Sequence, residues 1–142
     1  MRNIIVAAGL VALAACAQKT MQIYEGPALA PDQQVTLRVA PSAGRLEIIG
    51  IDRESTMNFG QRLVTGQSGA GTVMLTPGKH LVRLKQNLGS SYAFSGWMWF
   101  VGEPGRTYQA RSQAVGYGVR FWLEDDRGRR IGGIAGGADE PK

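Results

Sequence analysis

Residues 92–101 read Tyr-Ala-Phe-Ser-Gly-Trp-Met-Trp-Phe-Val and form the most aromatic stretch of the chain. Because successive side chains of a β-strand point to opposite faces of the sheet, the stretch divides into two sets. One face carries the residues that we expect to fill a core: Tyr92, Phe94, Met98 and Phe100. The opposite face carries Trp97, Trp99 and Val101 together with Ala93 and Ser95. This alternation predicts a strand with large side chains on both sides.

Two more strands are predicted ahead of this stretch. Residues 34–39 alternate, with Val35, Leu37 and Val39 on one face. Residues 45–51 supply apolar groups to both faces, which is typical of a strand in the middle of a sheet. Between these strands and residue 71 lies an irregular polar segment, residues 52–71, in which only residues 62–64 look like a short strand. Loops this long are uncommon in compact domains and are usually functional or mobile.

Further strands surround Pro77-Gly78 and follow residue 105. Residues 72–75 and 80–86 flank the Pro-Gly pair, so they are predicted to form a hairpin in which Gly78 takes a positive φ. Residues 106–114 and 117–123 come next, and a short last strand is expected around Ile131. The inward face of residues 117–123 is predicted to be Tyr117, Val119, Phe121 and Leu123.

The totals favour a small all-β domain. The chain has 142 residues, of which 20 are glycine, and no stretch after the first 15 residues has a convincing helical period. We therefore predict one largely antiparallel β-sandwich of seven or eight strands over residues 21–132. Residues 133–142, rich in glycine and alanine, are expected to be a disordered tail.

The amino-terminal region has the plan of an exported lipoprotein. Leu13-Ala14-Ala15-Cys16 looks like a bacterial lipobox, and it follows a basic residue and a short apolar run. We expect residues 1–15 to be a cleaved signal peptide, Cys16 to be lipidated, and residues 16–20 to be a tether. Two alternatives stay open: ordinary signal cleavage near Ala14, and a retained anchor helix, although the apolar run is shorter than the roughly 20 residues that a spanning helix needs.

Short motifs in the rest of the chain resemble those of small proteobacterial lipoproteins, many of them uncharacterised. The motifs are the lipobox, the segment Tyr24-Glu25-Gly26-Pro27, and Leu75-Thr76-Pro77-Gly78-Lys79-His80, which is also similar to the hairpin of PEGA-like domains. The resemblance implies a PEGA-like or immunoglobulin-like β-sandwich and a glycine where Arg53 stands. It also implies diacylglycerol on Cys16, and Ala17 in place of an aspartate implies the outer membrane, facing the periplasm. It assigns no activity and therefore no catalytic residue.

The charge of the chain does not indicate nucleic acid. The formal net charge is +5, but no run of five or six basic residues exists. Anionic lipid head groups are compatible with such a balance, and a solvated basic surface explains it equally. The expected partners are the membrane, through the lipid on Cys16, and an envelope protein or glycan.

Little in the sequence indicates catalysis, and we expect no cofactor and no metal. His80 is the only histidine and lies beside a turn on an apolar strand face, where a ring usually packs and hydrogen-bonds. No Gly-x-Ser-x-Gly motif is present, and Cys16 is the only cysteine. Asp125-Asp126 is followed at once by arginine, so it is predicted to be a solvated turn rather than a calcium site.

The main candidate for function is an outward-facing set of aromatic and basic residues. Aromatic side chains flanked by arginine are typical of protein interfaces and glycan platforms. The predicted partner-binding residues are Trp97, Trp99, Trp122, Arg83, Arg111 and Arg120. The alternative is that a loop covers these rings.

Two function classes follow from these observations. The first is a lipid-anchored, non-catalytic binding or scaffold module of the envelope. The second is a hydrolase acting on envelope glycan or lipid material through carboxylates in residues 52–71. The lack of further histidine or free cysteine favours the first class.

Overall fold

The computed structural model describes residues 20–41, 45–57, 69–89 and 92–131. Cys16, the predicted signal peptide, the predicted short strand at residues 62–64 and the predicted tail lie outside the described residues. The described ranges contain no helix able to cross a membrane. They contain nine strands: β1 (Thr20–Gln22), β2 (Val35–Val39), β3 (Leu46–Ile51), β4 (Glu54–Ser55), β5 (Thr72–Leu75), β6 (Gly78–Leu88), β7 (Tyr92–Gly102), β8 (Thr107–Val115) and β9 (Gly118–Glu124).

The strands form two sheets that enclose one core, as in a β-sandwich. One sheet has the order β1-β5-β2-β8-β9 and the other has the order β4-β3-β6-β7. The all-β prediction is confirmed. The predicted count of seven or eight strands is too low for the described residues, which contain nine, and the five-stranded sheet is mixed, because β1 pairs with β5 and β2 pairs with β8 in parallel.

The core is built from alternate residues of facing strands. In β2 the inward residues Val35 and Leu37 are fully buried, and in β7 Met98 and Phe100 are buried as predicted. The Phe100 ring meets the Tyr108 ring of β8 edge to face at a centroid distance of 5.3 Å, so an aromatic contact crosses between the sheets. Tyr92 and Phe94 were also predicted on the inward face of β7. The side chain of Tyr92 lies outside the described part.

Strand β3 is buried along its whole length. All six of its residues are buried, which confirms the prediction of a strand apolar on both sides and flanked by neighbours. It pairs with β6 on one side and with the short β4 on the other, and its register with β6 shifts between Ile48 and Gly50. Such a shift marks a β-bulge, which bends the strand locally.

The predicted hairpin around Pro77-Gly78 is wrong. Strand β5 belongs to the five-stranded sheet and β6 to the four-stranded sheet, so the turn carries the chain from one layer to the other. Gly78 does have a positive φ of 130°. A Pro-Gly turn suits either a hairpin within one sheet or a crossing between two sheets. Here Val73 of β5 and Val82 of β6 reach the core from opposite sheets.

A second correction concerns the start of β9. Val119, Phe121 and Leu123 are buried as predicted, but Tyr117 is fully exposed. The reason is that β8 and β9 pair only as far as Val115 and Gly118, which places Tyr117 in the connecting turn beyond the sheet. The predicted last strand around Ile131 is reduced to an isolated bridge between Glu124 and Arg130.

Candidate functional site

Trp97 and Trp99 lie on the outer face of the four-stranded sheet, as their position in β7 predicts. Both side chains are half-buried. Each is covered on one side by a cation from β6: the Arg83 guanidinium carbon is 5.4 Å from the Trp97 ring centroid, and Lys79 Nζ is 5.7 Å from the Trp99 ring centroid. We call these four residues the aromatic surface. Contacts of this kind are worth about 0.5–1 kcal/mol at exposed sites, and they fix the cations in place.

The pairing of β6 with β7 explains why these cations meet these rings. Arg83 lies directly opposite Trp97 in the antiparallel register, and Lys79 is two residues from Leu81, which lies opposite Trp99. Directly opposed side chains on one face have Cβ atoms about 4.5–5.5 Å apart, which is close enough for a guanidinium to lie against an indole. Lys79 was not among the predicted site residues, although it shares its strand face with Arg83.

The six predicted partner-binding residues do not share one surface. Arg83, Trp97 and Trp99 belong to the four-stranded sheet, whereas the other three belong to β8 and β9 of the five-stranded sheet. Within that sheet Arg111 lies opposite Trp122, and Arg120 is opposite Gln113. The expectation of a single surface therefore needs correction, because strand alternation gives the face of a residue but does not say to which sheet its strand belongs.

Trp122 is also covered rather than open to a partner. Its exposed fraction is 9%, its Nε1 donates a hydrogen bond of 2.8 Å to Glu124, and the Arg130 guanidinium carbon lies 4.5 Å from the ring centroid. Arg111 forms a short ion pair with the same carboxylate. Burial raises the pKa of Glu124, but the hydrogen bonds from Trp122 and Arg111 and the charges of Arg111 and Arg130 outweigh burial and hold this pKa below its usual range.

A cleft opens in the aromatic surface beside Trp97. Its volume is about 100 Å³, and it lies where the β3–β4 hairpin meets β6 and β7. We call it the Arg83 cleft. Its lining includes Gly50, Arg53, Glu54, Arg83 and Trp97.

The cleft exists because position 50 carries no side chain. A Cβ atom there would lie 3.2 Å from the Glu54 carbonyl oxygen, 3.4 Å from Arg83 Cβ and 3.5 Å from Trp97 Cη2. Gly50 therefore forms the floor, and the Trp97 ring lies above it. The φ of Gly50 is outside the left-handed region, so its importance lies in space rather than in backbone conformation.

Arg83 brings a donor that the protein leaves without an acceptor. Its Nε is buried and has no hydrogen-bond partner among the residues that the structure describes. A buried donor without an acceptor costs about 1–3 kcal/mol, and more when it is charged. Because solvent does not reach this atom, a ligand in the cleft would meet the terminal N–H groups of the guanidinium rather than Nε.

The turn between β3 and β4 has a strained backbone at Arg53, which is one of the residues that line the cleft. Asp52 and Arg53 have φ values of 50° and 73°. Asp tolerates this region, and Asp52 is further held by hydrogen bonds between its backbone N–H and the Leu81 carbonyl and between its own carboxylate and the Leu81 N–H, each 2.8 Å long. Arg53 stands where a glycine was expected, and the left-handed conformation costs a residue with a Cβ about 1–2 kcal/mol.

His80 is fixed by two oxygen atoms at the edge of the core. Its Nδ1 is 2.7 Å from Asp52 Oδ2 and its Nε2 is 2.7 Å from the Thr76 carbonyl oxygen, while the ring lies 5.9 Å from the Phe100 ring centroid. The predicted packing of this residue is confirmed. His80 thus ties the turn after β3 to the start of β6.

The prediction of a solvated turn at Asp125-Asp126 is confirmed for Asp126, which is exposed, and is wrong for Asp125, which is buried. Asp125 is 5% exposed and accepts hydrogen bonds from the backbone N–H groups of Arg127 and Arg129 and from the Arg129 side chain. Burial raises the pKa of Asp125, but these bonds and the charge of Arg129 lower it below the usual range. Across the described ranges, no group of three or more His, Cys, Asp or Glu side chains is placed to hold a metal ion.

Comparison with models of protein families, with curated proteins and with solved structures finds no match for this chain.

Proposed function

We propose that the protein is a lipid-anchored, periplasm-facing component of the outer membrane that acts as a non-catalytic binding or scaffold module. Cys16 directly after Leu13-Ala14-Ala15 supports the anchor and the cleaved signal peptide. Two or more acyl chains would hold the domain stably at the membrane. Within the β-sandwich class, we further propose a PEGA-like or immunoglobulin-like domain, supported by the segment Tyr24-Glu25-Gly26-Pro27 and by the two facing sheets.

The observation that carries the binding role is the aromatic surface. Tryptophan and arginine are the residues most enriched at the energetic centres of protein interfaces. Trp97 and Trp99 are half-buried, outward, and held by Arg83 and Lys79, so their rings are already ordered before a partner arrives. Ordered side chains lose less conformational entropy on binding, which favours affinity.

The hydrolase alternative has less support from the same region. Residues 52–71 contain two carboxylates, Asp52 and Glu54. Both carboxylate oxygens of Asp52 are already engaged in hydrogen bonds within the fold, one with the His80 ring and one with the Leu81 N–H. A glycosidase needs two carboxyl groups that flank the scissile bond, and only Glu54 would remain for that chemistry.

The test is the recovery of a partner from detergent extracts of the host envelope. Trp99→Ala should weaken the affinity for a partner that binds saturably about thirtyfold, which corresponds to about 2 kcal/mol of binding free energy. Because Trp99 is half-buried, its truncation should cost less folding stability than the roughly 3–5 kcal/mol of a fully buried tryptophan. Tyr117→Ala, at the exposed tip of the β8–β9 turn, is the matched aromatic control and should leave recovery unchanged. Equal recovery by Trp99→Ala and wild type would refute the proposed surface.

A further inference from the structure

We propose that the Arg83 cleft binds an oxyanion, namely the carboxylate or phosphate group of a larger ligand. This inference rests on the proposed function, because it names the ligand chemistry of the same surface. The apolar part of such a ligand would lie on the Trp97 ring, which forms one wall of the cleft.

The first support is the guanidinium group of Arg83, which lines the cleft. Its guanidinium carbon lies 5.4 Å from the centroid of the Trp97 ring, so the charge stands beside the aromatic wall of the cleft. A guanidinium is planar, always charged and shaped to donate two parallel hydrogen bonds to carboxylate or phosphate. The guanidinium therefore brings a permanent positive charge to the wall of the cleft before an oxyanion arrives.

The second support is the charge of the lining. Arg53 and Arg83 place two guanidinium groups on a cleft whose one acidic lining residue is Glu54. The chain maintains Arg53 there in a left-handed conformation with φ of 73°, at a position where glycine would be unstrained. Two cations beside a low-dielectric indole favour an anion over a neutral or cationic group.

The third support is size. The volume of about 100 Å³ accommodates a small group such as carboxylate or phosphate, but not a whole oligosaccharide or peptide. Even this room depends on Gly50, because a Cβ atom there would reach to 3.2 Å from the Glu54 carbonyl oxygen and 3.5 Å from Trp97. The cleft is therefore a subsite for one functional group of a ligand.

The experiment uses the full-length lipidated protein in micelles of a non-ionic detergent, labelled with ¹⁵N at the tryptophan indoles. Sodium phosphate and sodium acetate are titrated at constant ionic strength, and the indole signals are assigned with Trp97→Phe and Trp122→Phe. We expect a saturable shift of the Trp97 signal with a dissociation constant on the order of millimolar, as befits an isolated small anion. The signal of the covered Trp122 should not move.

Three variants sharpen the test. Arg83→Gln should weaken phosphate binding about tenfold or more, because a charge-assisted pair is lost. Arg38→Gln makes the same charge change at an exposed position of the other sheet and should change binding less than about twofold. Arg53→Gly should weaken binding while raising the melting temperature by about 3–6 °C, so that its loss of binding cannot result from unfolding. Absence of a saturable shift, or equal binding by Arg83→Gln and wild type, overturns the proposal.

A second arm identifies the source of the oxyanion. The protein is placed in nanodiscs of phosphatidylcholine, with or without phosphatidylglycerol. A shift of the Trp97 signal caused by phosphatidylglycerol alone assigns the group to a lipid head, and a shift caused only by dissolved phosphate or acetate assigns it to a soluble ligand; either result supports the subsite. If oxyanions do not bind but partner recovery still depends on Trp99, this inference fails and the proposed function stands. If recovery is also independent of Trp99, both fail.

Discussion

Gly102 allows a direct test of the contact between the two sheets. It is the last residue of β7, and a Cβ atom built there would lie 2.8 Å from Val35 Cγ1, 3.0 Å from Val35 Cγ2 and 3.3 Å from Val35 Cβ. Val35 belongs to β2 of the opposite sheet and is fully buried. The φ of Gly102 is outside the left-handed region, so Gly102→Ala perturbs packing without straining the backbone.

The magnitude follows from these distances. Carbon atoms in contact are most stable at about 3.5–4.0 Å, so the new methyl group would overlap both branches of Val35. Valine is stiff at χ1 and cannot rotate out of the way. Forcing a methyl group into a filled core usually costs about 1–3 kcal/mol, and we expect Gly102→Ala to lower the free energy of unfolding by that amount.

The assay is a double-mutant cycle measured by urea denaturation of the full chain. In a Val35→Ala background the two branches are gone, so Gly102→Ala should cost less than about 0.5 kcal/mol or even stabilise by filling the space. Gly118→Ala is the control, because a Cβ atom there would have only the Val115 carbonyl oxygen, at 3.8 Å, within 4 Å. If Gly102→Ala is as destabilising with Ala at position 35 as with Val, the two sheets do not pack as described.

Three further predictions concern the anchor, the histidine and two carboxylates. Cys16→Ala should abolish acylation and release by the lipoprotein route, measured by mass spectrometry of the amino terminus and by fractionation; a wild-type protein that is soluble and without lipid would show the anchor to be wrong. His80→Gln should lower the free energy of unfolding by about 1.5–3 kcal/mol, because the bond to the Asp52 carboxylate is lost; an unchanged melting temperature with lost partner recovery would instead place His80 in the binding site. The lowered pKa values of Glu124 and Asp125 mean that their stabilisation is complete above about pH 5 and is lost as the pH falls below about 4 through the folded-state values. The difference in melting temperature between wild type and Glu124→Gln should therefore shrink between about pH 5 and pH 2, and a constant difference would contradict these shifts.

Strand alternation predicted which side chains fill the core, because the period of two is a local property of the backbone. Val35 and Leu37 in β2, and Met98 and Phe100 in β7, are buried where the pattern places them. The same reasoning placed Trp97 and Trp99 on the outer face of their strand. These assignments need no knowledge of which strands are neighbours.

The assignment of strands to sheets could not be predicted from local periodicity. Pro77-Gly78 suits both a hairpin and a crossing between layers, and the choice depends on contacts distant in sequence. For the same reason Trp122 was grouped with Trp97, although they belong to different sheets. Arg130, which covers Trp122, comes from a turn that no periodic pattern marks.

The Arg83 cleft was only partly foreseeable. Arg83 and Trp97 were predicted site residues, but the buried state of Arg83 Nε and the room above Gly50 are properties of three-dimensional packing. One sequence signal was available: Arg53 stands where the resemblance to small lipoproteins implies glycine, and its φ of 73° lies in the region that favours glycine. Departures from local preference of this kind are often found at functional sites.

The position of β7 at the end of its sheet bears on how the protein behaves when it is concentrated. Strand β7 spans Tyr92–Gly102, and within the described ranges it has a strand partner only on the β6 side. It contains no proline and no charged residue, which are the usual means by which exposed edges are kept from pairing with one another. Overproduction of the domain should therefore favour assembly of copies through this edge, and Ala93→Lys, at an exposed position of the strand, should suppress it. Confinement of copies to a membrane plane would restrict the orientations in which two such edges can meet.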